Sequence, residues 1–390
     1  MEKQKSIPHL RFPEYREDWE KNKIGKLFNI IAGGDIPTEN VRSIRNELFK
    51  YPIYANAEKE KGLYAYSNIY RIDKEVVTIA GRGVNMGIAH ARKEKFYPIV
   101  RLLVLEPVNK SSVEFFEYVL NHLNFYVEST GVPQLTVPQI STYLITYPSL
   151  PEQQKIASFF TAIDQKISQL KQKKTLLELY KKGVMQKIFS QEIRFKDDNG
   201  QEFPKWGKKR LDDVISKFIV PMRDKPKDLT GDIPWCRIED FNGKYLFESR
   251  TNQGVSKETI RKMNLKVYPV NTLIVSCSAN LGFCAIVKKE LVTNQTFIGL
   301  VPKADENNVE FLFYVMVLSA RKLNSLSSGT TISYLSREQF EKFNIKIPFI
   351  SEQTKIANFL SAIDDKINHT QTQIDKAEVW KKGLMQQMFV

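Results

Sequence analysis

Residues 151–167 read PEQQKIASFFTAIDQKI, and residues 351–367 read SEQTKIANFLSAIDDKI. The likeness runs without a gap over residues 150–189 and 350–389, where 18 of 40 positions are identical. A spacing of 200 residues is too long for a solenoid repeat and indicates duplicated domains. The predicted order along the chain is therefore variable unit, helix, variable unit, helix.

Both repeats carry the periodicity of a long helix. Their seam positions advance in alternating steps of four and three, which is typical of a coiled coil. These positions are Ile156, Phe160, Ile163, Ile167, Leu170, Lys174, Leu177, Lys181, Val184 and Ile188, then Ile356, Leu360, Ile363, Ile367, Thr370, Ile374, Ala377, Lys381, Leu384 and Met388. Pairing of the two helices and packing of each onto its own unit both fit this pattern.

Chain direction decides how such helices would pair. The first leads from one unit to the next and the second leads away, so side-by-side pairing must be antiparallel. The prediction is two similar units separated by two long antiparallel helices, with an approximate two-fold axis. The expected segments are 1–149, 150–192, 193–349 and 350–390.

The variable units are predicted to be α+β. Strand-like runs at 75–80 and 271–278 are bounded by turn residues, including the GRGVNMG stretch at 81–87. Helix candidates at 113–120 (VEFFEYVL) and 309–316 (VEFLFYVM) each follow a strand-like run.

The charge balance is strongly basic, with 58 Lys+Arg against 44 Asp+Glu and a net charge of +14. This favours a polyanionic partner, either nucleic acid or an acidic membrane surface. The start of the chain has no apolar core typical of a signal peptide. The longest uncharged apolar stretch, 311–320, is half of the roughly 20 residues that span a bilayer. We therefore expect a cytoplasmic protein without a membrane partner.

Motifs that would carry catalysis or hold a metal are not found in the sequence. The three cysteines, Cys236, Cys277 and Cys284, show no C-x-x-C spacing, and the four histidines are scattered. There is no amino-methyltransferase tetrapeptide, and the glycines at 81, 83 and 87 miss the dinucleotide-loop register. The sequence favours a recognition protein whose catalysis is supplied by partner proteins.

The chain resembles the specificity subunits of bacterial type I restriction-modification systems. The resemblance rests on the duplicated helices, on LRFPEYREDWEKNKIGKLF at 10–28, on IPWCRIEDFNGKYL at 233–246 and on NTLIVSCSANLGFCAIV at 271–287. One departure is Ser351 where the first copy has Pro151, and serine is itself a good helix N-cap.

The resemblance implies a non-catalytic subunit with two target-recognition domains, residues 1–149 and 193–349. Each would read one half of a split, asymmetric double-stranded DNA site. The paired helices would set the gap and dock two adenine-N6 methyltransferase subunits. S-adenosylmethionine, ATP and Mg²⁺ are expected in partner subunits, which include a motor-nuclease. No cofactor is expected in this chain.

Candidate contact residues are polar positions beside turns, or matching positions on the helices. The predicted DNA contacts are Arg82, Asn85, Gln134, Thr136, Ser276, Ser278, Asn280, Thr330, Thr331, Ser333 and Tyr334. Arginine can bind guanine, and asparagine or glutamine can bind adenine, through two hydrogen bonds. The predicted partner contacts are Gln153, Lys155, Gln353 and Lys355, which lie off the apolar seam. Local turn caps or solvent-exposed side chains are the alternative at each position.

Two other functions stay open at this stage. A self-contained DNA methyltransferase or nuclease would modify or cut DNA without a partner. A coiled-coil scaffold would bind protein through its end domains and show no salt-sensitive DNA binding.

Overall fold

The computed structural model describes residues 7–56, 59–126, 134–222, 224–278, 281–326 and 335–389. It divides into two compact units, which are described separately. Unit 1 is Met1–Lys173 with Thr370–Val390, and unit 2 is Lys174–His369. The end of the chain therefore belongs to the first unit, as the antiparallel prediction requires. The division into four segments stays a prediction, because the two units share the repeat helices.

Among the described residues, the first half of the chain forms ten strands and four α-helices. The strands are β1 Glu20–Lys23, β2 Phe28–Ala32, β3 Val41–Arg42, β4 Tyr51–Tyr54, β5 Leu63–Ser67, β6 Val76–Ala80, β7 Ala89–Arg92, β8 Tyr97–Pro98, β9 Leu102–Pro107 and β10 Leu144–Tyr147. The helices are α1 Ile24–Leu27, α2 Val113–His122, α3 Val137–Thr142 and α4 Leu150–Phe189.

The described part of the second half forms eleven strands and five α-helices. The strands are β11 Gly207–Arg210, β12 Ile215–Ile219, β13 Ile233–Cys236, β14 Tyr245–Leu246, β15 Gly254–Val255, β16 Val267–Tyr268, β17 Leu273–Ser276, β18 Cys284–Val287, β19 Leu291–Thr293, β20 Phe297–Pro302 and β21 Asn344–Ile347. The helices are α5 Leu211–Val214, α6 Lys257–Lys262, α7 Val309–Leu326, α8 Arg337–Glu341 and α9 Ile350–Met388.

The sheets repeat the same plan in both units. Unit 1 has a main sheet in the order β2-β9-β6-β7, and unit 2 has β12-β20-β17-β18-β14. A second four-stranded sheet follows in each, β3-β5-β4-β8 and β15-β13-β19-β16. A short antiparallel pair, β1 with β10 and β11 with β21, leads into each repeat helix. The prediction of two similar α+β units is confirmed.

The core of unit 1 lies between the main sheet, α2 and the repeat helices. Strand β6, which the strand-like run EVVTIA predicts, is buried at all five positions. Helix α2 begins where the Ser112 hydroxyl accepts the Phe115 N–H over 3.2 Å. Its buried face packs with Ile156 and Phe160 of α4 and with Met388 of α9 in one apolar cluster.

Unit 2 builds the corresponding core from the opposite ends of the same helices. The end of α4, through Met185 and Ile188, packs with Phe311 of α7 and with Ile356 and Leu360 at the start of α9. The three cysteines of the chain are buried and unpaired, and all of them lie in this unit.

The repeat helices run antiparallel inside each unit. In unit 1, Lys171 of α4 forms an ion pair with Glu378 of α9, while Asp164, earlier in α4, pairs with Lys381, later in α9. Every predicted seam position is buried or half-buried. Both interpretations of the periodicity are correct in part, because the seam serves the helix pair and the unit core together.

Among the residues that the structure describes, no helix is both long enough and apolar enough to cross a bilayer. The same parts of the chain hold no group of three or more His, Cys, Asp or Glu residues suited to binding a metal ion.

Candidate nucleic-acid interface

The first predicted contact stretch is a tight turn between β6 and β7. The Gly87 N–H donates to the Ala80 carbonyl over 2.8 Å and closes the turn. Gly83 and Gly87 have φ values of 82° and 90°, a region that glycine adopts without steric cost. Arg82 is exposed and Asn85 is half-buried. The predicted turn is therefore confirmed.

A distant stretch of unit 1 lies against this turn. The Leu135 N–H donates to the Gly81 carbonyl over 2.8 Å, and Arg82 forms an isolated antiparallel bridge with Gln134. The structure thus brings together two predicted contact residues, Arg82 and Gln134, that are 52 positions apart in the sequence.

Thr136, the next predicted contact, is already used to begin helix α3. Its N–H and its hydroxyl both donate to Oε1 of Gln139, over 2.9 and 2.8 Å. This agrees with the alternative interpretation of Thr136 as a local cap. Its role toward DNA stays a prediction.

A third stretch, which sequence reasoning missed, completes the cluster. Arg101 donates from Nη1 to Oε1 of Gln134 over 2.6 Å. Arg101 and the preceding Val100 have φ values of 57° and 47°. Left-handed conformations at residues other than glycine cost on the order of 1–3 kcal/mol each and persist only where the surroundings hold them. Asn56 supplies one such constraint, since its Nδ2 donates to the Val100 carbonyl over 2.7 Å and its Oδ1 accepts the Gly81 N–H over 3.1 Å.

The absence of a side chain at Gly81 is required by the same cluster. A Cβ atom there would lie 2.5 Å from the Arg101 carbonyl oxygen and 3.3 Å from the Leu135 carbonyl oxygen. Both neighbours are backbone atoms, which cannot rotate away. We name Asn56, Gly81, Arg82, Val100, Arg101 and Gln134 the unit 1 loop cluster.

This cluster presents positive charge. Arg82 and Arg101 are both exposed. Within the described ranges, neither guanidinium has an acidic group within ion-pair distance. An exposed, unneutralised guanidinium is suited to a phosphate or to the acceptor edge of a base.

Unit 2 repeats one backbone contact of this arrangement with other side chains around it. The Leu335 N–H donates to the Cys277 carbonyl over 2.9 Å, as Leu135 does to Gly81. Strand pairing sets the correspondence, since Ala80 lies opposite Leu102 in one unit and Ser276 opposite Phe297 in the other. Gly81, Arg82 and Arg101 therefore correspond to Cys277, Ser278 and Thr296.

The prediction for Ser276 needs correction. Its side chain is fully buried at the end of β17, and its hydroxyl donates to the Ser278 carbonyl over 2.6 Å. This group is used inside the unit and is not available to DNA. Ser278 is half-buried and keeps its place as a candidate. The remaining predicted contacts of unit 2, Asn280, Thr330, Thr331, Ser333 and Tyr334, lie outside the described residues.

The expectation that Gln153 and Gln353 face a partner also needs correction. Their exposed fractions are 3% and 1%. Oε1 of Gln153 accepts the Ser112 N–H over 3.1 Å at the start of α2, and Oε1 of Gln353 accepts the Asn308 N–H over 2.9 Å before α7. Each glutamine also donates to the carbonyl of the proline five residues earlier. They join a repeat helix to its own unit.

Lys155 and Lys355 remain at the surface to different degrees. Lys155 has half its side chain exposed and lies 3.6 Å from Glu14. Lys355 is about a third exposed and donates to Asp198 over 2.6 Å. Partner contact by these two lysines stays a prediction.

The repeated Glu preceding each glutamine holds the segment that leads into its unit. In unit 1, Arg11 donates from Nε and Nη2 to the two carboxylate oxygens of Glu152, both over 2.7 Å, and Trp19 Nε1 donates to Oε1 over 3.4 Å. Glu152 is 1% exposed. In unit 2, Arg194 binds Glu352 in the same way, over 3.3 and 2.7 Å. The signal missed in the sequence is the Arg-Phe pair at 11–12, which recurs at 194–195.

A second repeated contact explains why the helix sequence occurs twice. In unit 1, Asp164 of the first copy accepts from Tyr118 over 2.8 Å and from Lys381 of the second copy over 2.6 Å. In unit 2, Asp364 of the second copy accepts from Tyr314 over 2.6 Å and pairs with Lys181 of the first copy over 2.5 Å. Each copy therefore supplies the partner that the other copy needs. Burial raises the pKa of the Tyr118 and Tyr314 hydroxyls, so both act as donors at neutral pH.

Together these contacts define an internally duplicated α+β protein whose two units present loops with different polar side chains on one shared framework. The family model of the type I restriction modification DNA specificity domain matches residues 16–179 and 204–379. The chain therefore belongs to that family.

Individual relatives agree with this assignment. The chain is 29% identical over 208 residues to the type I restriction enzyme MjaIX specificity subunit of Methanocaldococcus jannaschii, covering 52% of this chain and 48% of the relative. It thus spans about half the length of that relative. The putative MjaX specificity subunit of the same organism is 22% identical over 410 residues, covering 98% and 95%.

A solved structure shows the same fold. The crystal structure of the S subunit of a type I restriction-modification system from M. genitalium matches with a TM-score of 0.66 and 14% identity, covering 98% of this chain and 99% of that one.

Proposed function

We propose that this chain is the sequence-reading subunit of a type I restriction-modification complex and that each unit recognises one half of a split DNA site. The observation that carries the proposal is the loop cluster of unit 1 together with its counterpart in unit 2. One backbone contact, from Leu135 to Gly81 and from Leu335 to Cys277, recurs, while the side chains change from Arg82 and Arg101 to Ser278 and Thr296. Such a difference suits two readers with different targets.

The charge of the chain supports a nucleic-acid partner. A net charge of +14 supplies sequence-independent attraction to phosphates. Side chains on the loops would then read base edges in the grooves, where the four base pairs differ in their donors and acceptors. Two readers in one chain explain a site made of two halves.

Catalysis is assigned to partners. Two adenine-N6 methyltransferase subunits would use S-adenosylmethionine, and a methyltransferase must extrude its target base from the stack. A motor-nuclease partner would use ATP and Mg²⁺. The chain itself would position these subunits on DNA, with Lys155 and Lys355 on the repeat helices as candidate contacts.

Genome-wide mapping of adenine methylation in a methylation-free bacterial host tests this function. Three strains are compared, one expressing this chain, one a cognate methyltransferase subunit, and one both proteins. We expect a split motif only in the third strain. Co-purification of the two proteins from that strain serves as the control for assembly.

Each other outcome contradicts the proposal in its own way. Methylation by this chain alone would identify a self-contained methyltransferase. No methylation in any strain, although the two proteins co-purify, would favour a scaffold. The absence of salt-sensitive binding to duplex DNA would also favour the scaffold.

A further inference from the structure

We propose that Arg101 and Gln134 act as a pair that reads a guanine in the half-site of unit 1. The inference rests on the proposed function and adds a residue, Arg101, and a base identity to it. It is carried by the hydrogen bond between the two side chains and by their place at the open side of the loop cluster.

The hydrogen bond fixes which groups of the pair remain free. Arginine has donors and no acceptor, so Gln134 must turn its amide oxygen toward Arg101. The 2.6 Å contact uses one N–H of Nη1 and engages Oε1 of Gln134. Among the described residues, the glutamine NH₂ and the other guanidinium N–H groups have no hydrogen-bond partner. The pair therefore offers more free donors than acceptors, since one of the two lone pairs of Oε1 is already used.

A surface of donors matches one base edge in the major groove. Guanine presents two acceptors there, N7 and O6, whereas adenine presents N7 with an amino donor. A free glutamine binds adenine by offering an oxygen and an amide together. Because Arg101 occupies one lone pair of Gln134 Oε1 and adds several N–H donors beside it, the pair matches the two acceptors of guanine better than the mixed edge of adenine.

The backbone holds this pair in place before any ligand binds. Arg101 lies in the left-handed turn that Asn56 ties to Gly81, and the Gly81 Cα packs under the Arg101 carbonyl with no room for a Cβ. A side chain whose support is fixed loses less conformational entropy on binding and discriminates better between ligands.

Unit 2 cannot read its target in the same way. Thr296 stands at the position of Arg101, and its hydroxyl donates to Oδ1 of Asn294 over 2.6 Å. A hydroxyl already used within its own loop lacks the paired donors of a guanidinium. The guanine contact is therefore specific to the half-site of unit 1.

The test is methylation mapping with variants of this chain co-expressed with the methyltransferase subunit. R101A removes the paired donors, and R101K keeps the charge but loses the fork that binds two acceptors. R45A removes another exposed arginine of unit 1, outside the cluster, and is the control for charge alone. We expect a G·C pair in one half of the wild-type motif, and R101A should relax discrimination at that pair by roughly 10- to 100-fold.

R101K should fall between wild type and R101A, R45A should match wild type, and the other half of the motif should not change in any variant. The inference is overturned if R101A keeps full discrimination at every position, or if R101K matches wild type. If R101A abolishes modification, competition binding with duplexes carrying each base pair at that position decides, and a retained guanine preference overturns the inference. If the strain with the wild-type chain shows no split motif, the proposed function is refuted instead.

Discussion

Unit 1 and unit 2 agree in their supports and differ in their loops. Both join a repeat helix to the leading segment through an ion pair between a half-buried arginine and a buried glutamate, Arg11 with Glu152 and Arg194 with Glu352. Both carry a Tyr–Asp–Lys contact across the two helices. At the unit 1 loop cluster and the corresponding positions of unit 2, the polar side chains differ. The shared contacts stabilise the fold, and the side chains that differ are those to which the proposed function assigns the different targets.

The largest expected effect concerns the two buried glutamates. E152A leaves Arg11 without its carboxylate and removes the acceptor of Trp19 Nε1, whereas Trp206 Nε1, the counterpart in unit 2, has no hydrogen-bond partner among the described residues. Breaking one side of a fully buried ion pair costs about 3–5 kcal/mol, and the partly exposed arginines place these two pairs at the lower end of that range. We expect that loss in unfolding free energy for E152A and a loss about 1 kcal/mol smaller for E352A.

Hydrogen exchange in increasing urea, followed by peptides from each unit, measures both losses. E14A is the matched control, because Glu14 is half-exposed and its 3.6 Å contact with Lys155 is worth at most about 1 kcal/mol. Equal losses for E14A and E152A would show that the buried pair does not support unit 1.

A smaller effect is expected at Gly81 of the unit 1 loop cluster, because unit 2 has a side chain, that of Cys277, at the corresponding position. G81A places a Cβ against two carbonyl oxygens and should destabilise unit 1 by about 1–3 kcal/mol. Cys277, at the same position of unit 2, already accommodates a side chain, so C277A should cost about 1 kcal/mol or less. Urea unfolding compares the two variants. A loss for C277A as large as that for G81A would remove this distinction between the units.

The smallest effect separates the units by pH. Burial raises the pKa of Cys277 to about 11 and those of Cys236 and Cys284 to about 12. Below the ordinary thiol pKa, both folded and unfolded states are protonated and stability is complete. Above about pH 9 the unfolded thiols ionise first, so stability falls as pH rises toward 11.

Unit 1 has no cysteine. Burial raises the pKa of its Tyr54 to about 12, so this tyrosine lowers the stability of unit 1 only above about pH 10, where the unfolded side chain ionises. Pulse proteolysis in urea at pH 8 and at about pH 9.5, with fragments assigned by mass, should show unit 2 losing stability before unit 1. Simultaneous loss in both units would contradict the assignment to the thiols.

Much of the framework could be predicted from local patterns. The four-and-three spacing identified both repeat helices and their seam, and the apolar runs identified β6 and β17. The contacts of the site could not be predicted, because they join residues far apart in the sequence. Asn56 and Val100 are 44 positions apart, and Arg101 and Gln134 are 33 apart. No local pattern shows which carbonyl faces Gly81.

The burial of certain polar side chains could not be predicted from the sequence either. Gln153 and Gln353 lie off the apolar seam, and periodicity alone predicts that such positions face outward. Their amides instead satisfy backbone groups at the start of α2 and before α7. A buried polar group is tolerated when it is hydrogen-bonded, and only the tertiary structure supplies those partners.

The central claim is that each unit reads its half of the DNA site independently. Its most direct test replaces residues 1–149 with the corresponding residues of another specificity subunit of the family and maps adenine methylation with the methyltransferase subunit present. We expect one half of the split motif to change while the other half and the gap stay the same. A change in both halves, or methylation by the exchanged chain without the methyltransferase, would contradict it.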